Sequence, residues 1–87
     1  MIKLTREETF DILRLTTSEL VAVFCKENCA PCSQLSKLME NDNRVIIHIY
    51  LEDFPDLFEK YGIVTVPTSI LFKKGEENKR TKGVNLV

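Results

Sequence analysis

The sequence predicts an α/β domain in which a central mixed sheet carries helices on both faces. Three observations predict it. A continuous apolar run, "LVAVFC" at 20–25, and a second buried segment, "VIIHIYL" at 45–51, have the length and character of strands covered on both sides. A segment with helical spacing lies between them, as a crossover between parallel strands requires. The chain then runs through strand, glycine-bearing turn and strand, which is an antiparallel hairpin. The 87 residues are expected to form one small domain over 1–87.

Each element has its own signal. "MIKL" is a short apolar start. "TREE" follows, where Thr5 and Glu8 have the spacing of a capping box, and Phe10 and Leu13 make a helical face through about Leu15. "TTSE" breaks that helix before the first apolar run. After Asn28 a second helix presents Cys32, Leu35, Leu38 and Met39, and "NDN" at 41–43 ends it. The second apolar run is rich in β-branched residues. "DFPDLFEKYG" reads as a short helix with Asp53 as cap, Pro55 in its first turn, Leu57 and Tyr61 paired at i,i+4, and Gly62 as the stop. "TSILF" is the next strand, "KKGEENK" a hairpin turn and "RTKGV" the returning edge strand.

Composition excludes several functions. A net charge of −1 leaves no basic footprint for nucleic acid and no polybasic patch for a membrane surface. No apolar run approaches the length of a membrane span, and "MIKLTREETF" lacks the apolar core of a signal peptide. The chain is therefore expected to be cytoplasmic. There a close cysteine pair is catalytic or metal-binding more often than structural.

All three cysteines, Cys25, Cys29 and Cys32, fall within "FCKENCAPC". Cys29 and Cys32 stand three apart in the first turn of a helix that follows a buried strand, near enough to bridge. The free N–H groups and positive end of that helix favour a thiolate. Pro31 stiffens the ring without costing a needed N–H. Cys29, beside polar Asn28, is expected to be accessible, and Cys32, on the face of Leu35 and Met39, to be partly covered. An exposed nucleophile with a protected partner fits these positions. Two other readings stand beside this one. The cysteines could be buried filler. Alternatively, the spacing C-x3-C-x2-C could hold an iron–sulfur cluster, or zinc with a fourth ligand, although the only histidine, His48, lies within a buried strand.

"LVAVFCKENCAPC" followed by "KYGIVTVPTSILFKKGE" resembles the thioredoxin family, and "IKLTREETFD" extends the resemblance over nearly the whole chain. The resemblance implies a thioredoxin-like fold and a protein-disulfide reductase without a bound cofactor. Cys29 would attack a substrate disulfide and Cys32 would resolve the mixed disulfide. Pro67 would be the family's cis-proline facing the pair. The backbone of Val66 would pair with a bound peptide strand. Implied partners are disulfide-containing proteins and a thioredoxin reductase or other dithiol donor. Glutaredoxins share the fold, so a glutathione-dependent reductase is the alternative enzyme. Their Gly-Gly signature is missing after "TVPT".

The departures from the family pattern are specific. Asn28 replaces the aromatic before the first cysteine, which reduces the apolar surface offered to substrates. Val23 falls where the family has a buried acid, and His48 where a lysine faces that acid. His48 is therefore a candidate for proton transfer to the resolving cysteine. Cys25 takes the place of another aromatic and reads as a small buried residue, with a third redox thiol as the other reading. The usual C-terminal helix is absent, and the domain is expected to be complete at Val87. Thr68, Ile70 and Phe72 then form the covered face of their strand. Ser69, Leu71 and Lys73 form a largely solvated one, with Leu71 able to support a weak dimer of an otherwise monomeric protein.

Overall fold

A computed structural model describes residues 2–87. Its elements are β1 (Ile2–Lys3), α1 (Glu7–Thr16), β2 (Glu19–Cys25), α2 (Ala30–Leu38), β3 (Val45–Tyr50), α3 (Pro55–Lys60), β4 (Thr68–Lys73) and β5 (Glu76–Lys82). One sheet has the order β1-β3-β2-β4-β5. The β1–β3 and β2–β3 pairs are parallel, while β2–β4 and β4–β5 are antiparallel. Among the described residues no helix is long and apolar enough to cross a membrane.

The two apolar runs form the central strands because each side of the sheet has its own core. Alternate residues of a strand point to opposite faces. Leu20, Ala22 and Phe24 of β2 join Phe10 of α1, Leu57 and Phe58 of α3, and Ile47, Ile49, Ile70 and Phe72 of the sheet. Val21 and Val23 face the other way and meet Leu35 of α2 and Met39 at its C-terminal cap, with Ile46 and Leu71. Phe24 is the centre of the first core. Its ring stands edge-on to Phe58 at 5.1 Å, and Tyr61 lies 5.9 Å away.

Local signals were overruled at several points. Thr5 does not cap α1. The helix starts after Arg6, which is extended and makes no side-chain cap bond. The sheet sets this start: the Leu4 N–H donates to the His48 carbonyl at 2.8 Å and Leu4 is fully buried, so the chain reaches Thr5 still extended. Asp53 does not cap α3 either; Phe54 holds that position, with Pro55 in the first turn. Leu38 belongs to no core and is 53% exposed. At about 100° per residue it stands well off the line of Cys32, Leu35 and Met39.

The hairpin is tighter than "KKGEENK" predicts. Lys73 pairs with Glu76, leaving a two-residue turn at Lys74 and Gly75. Both turn residues have positive φ, 53° and 85°, the backbone of the turn that matches strand twist, and glycine occupies the second place. "EENKRTK" is thus a strand by its pairing to β4 and not by its composition. Its charged side chains line the sheet edge, where they discourage pairing with another chain.

β4 corrects a second expectation. It is an inner strand, buried on both faces from Thr68 to Phe72. Ser69 is fully buried and Leu71 is 7% exposed. Leu35 of α2 and Met39 at its cap share a core with Leu71, and Val84 and Val87 pack against the same cluster. Arg44 holds this end of the chain in place, donating to the Val87 carbonyl at 2.9 Å while paired with Asp42 at 2.7 Å. Leu71 is therefore part of a core and not of a solvated face.

Candidate active site

The site forms where β2 ends and α2 begins. The Leu51 N–H donates to the Cys25 carbonyl at 2.9 Å, which ties the last residue of β2 to the end of β3. The chain then turns sharply. Asn28 has φ 55°, a left-handed conformation that asparagine tolerates better than most residues. The Glu52 carboxylate accepts from the Glu27 N–H at 3.3 Å and steadies this turn. The outcome is that Cys29 is folded back beside Cys25.

Cys29 is the N-cap of α2, and its Sγ accepts the Cys32 N–H at 3.3 Å. A sulfur so placed meets the unpaired N–H groups and the positive end of the helix, which favour its ionised form. Cys29 and Cys32 are joined by a disulfide, with Cα atoms 5.2 Å apart. The expected difference in exposure is not present: the two residues are 9% and 8% exposed. Residues 26–28 of the turn are exposed while Cys29 after them is buried. Their roles must therefore follow from position on the helix.

A cleft of about 440 Å³ opens along the pair. Cys25, Asn28, Cys29 and Cys32 line it, as do Lys3, Ser36, His48 and Tyr50. His48 lies directly across from Val23 in the sheet. Its Nε2 is buried and has no hydrogen-bond partner among the described residues. Burial holds its pKa below the usual histidine value, so the ring is neutral at pH 7. The strand period that brings His48 to this face also brings Tyr50, two residues on, which the sequence reading did not single out. Lys3 was also missed. Its ammonium lies 4.8 Å from the Tyr50 ring centre, a contact that only the β1–β3 pairing creates.

Cys25 is 2% exposed and packs with Cys29 and Cys32, as well as with Tyr50 and Val66. Its thiol donates to the Ile49 carbonyl at 3.7 Å. Burial, reinforced by the Glu52 carboxylate, pushes its pKa up to about 12, so it is a neutral thiol at pH 7. On the far side, the Val66–Pro67 peptide bond is cis and Val66 packs against the cysteine cluster. Asn28 is exposed at the rim. Among the described residues no group of three or more His, Cys, Asp or Glu side chains is arranged to hold a metal ion.

Two sulfurs that open and close one bond at a helix N-terminus exchange dithiol for disulfide, and the protein is a thiol–disulfide oxidoreductase. Comparison with known proteins gives the family. The chain is 33% identical to the thioredoxin of Chlamydia caviae over 89 residues, covering 97% of this chain and 86% of that protein. The solution structure of oxidised thioredoxin from Plasmodium falciparum superposes with a TM-score of 0.87 at 22% identity, covering 98% of this chain and 86% of that one. Glutaredoxin 3 of Danio rerio is 31% identical over 81 residues; the match covers 86% of this chain but only 25% of that protein. No family model matches. The chain belongs to the thioredoxin family.

Proposed function

We propose that the protein reduces protein disulfides in the cytoplasm, with Cys29 as nucleophile and Cys32 as resolving thiol. The observation that carries the assignment is the position of Cys29 Sγ at the cap of α2, where it accepts the Cys32 N–H. Reduced Cys29 attacks one sulfur of the substrate and releases the other as a thiolate. Cys32 then attacks Cys29, frees the second substrate sulfur and leaves the Cys29–Cys32 disulfide. A thioredoxin reductase or another dithiol donor restores the dithiol. The substrate segment lies extended across Val66 and Pro67, paired through the Val66 backbone, with Asn28 at its edge. Cys32→Ser tests the roles. It is expected to form a mixed disulfide on Cys29 in the first, fast phase at neutral pH, seen as an early adduct in intact-protein mass spectrometry, because the fast resolving thiol is gone. An adduct on Cys32 in the Cys29→Ser variant, with none on Cys29 in Cys32→Ser, would reverse the assignment.

His48 serves the second step. Val23 offers no base beneath Cys32, while a neutral imidazole with an unpartnered Nε2 lies in the next strand and lines the same cleft. It accepts the Cys32 proton directly or through water. His48→Ala is expected to slow release of the Cys29 adduct by about 10-fold or more, the low end of general-base effects, while leaving the first attack unchanged. The difference shrinks as pH falls through the lowered His48 pKa, because a protonated ring accepts nothing. Equal release rates for variant and parent from about pH 6 to 8, around the reference histidine pKa, would make His48 a structural residue.

A further inference from the structure

We infer that Cys25 is a second resolving thiol, able to release substrate from Cys29 when Cys32 does not. This rests on the role of Cys29 proposed above. Two observations carry it. Cys25, Cys29 and Cys32 form one buried cluster. All three residues also line the same cleft, into which a disulfide between Cys29 and a substrate would project. The left-handed turn at Asn28 produces this juxtaposition by returning the chain over the end of β2.

The exchange balances without any added oxidant or reductant. Deprotonated Cys25 attacks Cys29 Sγ, and a Cys25–Cys29 bond forms as the Cys29–substrate bond breaks. The substrate sulfur departs with the electron pair and takes up the proton that Cys25 gave to solvent. Cys25 is oxidised and the substrate sulfur is reduced. When Cys32 is free, its thiolate attacks Cys29 in turn. That restores the Cys25 thiol and the Cys29–Cys32 disulfide.

The environment of Cys25 sets the speed of this route. The titratable and charged groups around it are Lys3 of β1, Lys26 and Glu27 of the turn, His48 and Tyr50 of β3, Glu52 beyond β3, and Cys29 and Cys32. Burial and Glu52 oppose its ionisation, whereas Tyr50 and Lys3 assist it, with a net pKa of about 12. The thiolate is therefore scarce at neutral pH, where Cys32 dominates. Below that value the Cys25 route gains about tenfold for each unit rise in pH.

The test uses reduced Cys32→Ser and Cys25→Ala/Cys32→Ser proteins with Ellman's disulfide, 5,5′-dithiobis(2-nitrobenzoate). Both are expected to release one coloured thiolate in a fast phase, which reports attack by Cys29. Only Cys32→Ser should release a second, in a slower phase that accelerates with pH, ending without bound label and with a Cys25–Cys29 disulfide in peptide mapping. Three results would overturn the inference: a persistent Cys29 adduct in both proteins, label found on Cys25, or an equal slow phase in the double variant. Loss of the fast phase would instead strike at the role of Cys29. Cys25→Val/Cys32→Ser is a second control with the small buried volume refilled, and a matching circular dichroism spectrum verifies its fold.

Discussion

Cys29→Ser is expected to reduce the rate of protein-disulfide reduction by at least about a thousandfold, as loss of a covalent nucleophile does. The sulfur of Cys29 sits at the start of α2, where the Cys32 N–H and the helix end stabilise negative charge. A serine hydroxyl in the same place stays protonated at neutral pH, and an alkoxide does not exchange with a disulfide. Neither neighbouring sulfur replaces it. Cys32 lies one turn further into the helix, and Cys25 is buried and neutral. Turnover of an insulin-like protein disulfide with a dithiol donor measures the effect. Activity within tenfold of the parent would show that another thiol makes the first attack.

The second large effect concerns the fold. Phe24→Ala is expected to cost about 3–5 kcal/mol, the range for removing a buried aromatic ring. Domains are stable by only about 5–15 kcal/mol, so the change removes a large share of the total. Phe24 has no exposed surface, and its ring meets both α3, through Phe58, and Tyr61 just after it. No neighbour can fill the space without leaving its own contacts. The loss also reaches the site, because the next residue is Cys25 and β2 carries the chain into the turn before Cys29. Chemical denaturation of reduced parent and variant measures it. A loss below about 1 kcal/mol would mean that the core around Phe24 repacks and that α3 does not depend on this ring.

Much of this molecule was legible in the sequence because the information was local or strongly patterned. The run at 20–25 is apolar throughout and the run at 45–51 is apolar but for His48, as strands with a core on each face require; both became inner strands of the sheet. Cys29, Pro31 and Cys32 lie within one helical turn, so their spacing alone brings the two sulfurs within bonding reach. The resemblance to the family placed His48 opposite Val23, and the sheet register pairs the two.

Other features were decided only when distant segments met. Thr5 and Asp53 have the chemistry of caps, yet sheet pairing at Leu4 and the turn after Tyr50 decided where α1 and α3 begin. "EENKRTK" has little strand character, but β4 offered it an unpaired edge and it took the full length of β5. Ser69 and Leu71 read as a solvated face because α2, thirty or more residues earlier, cannot be seen from their own alternation. The near-equal burial of Cys29 and Cys32, and the packing of Cys25 against both, follow from the turn at Asn28 and the clamp from Glu52 across the sheet. Spacing and periodicity are properties of neighbours along the chain. Burial, and with it the charge state of Cys25 and His48, belongs to whatever the rest of the fold places over them.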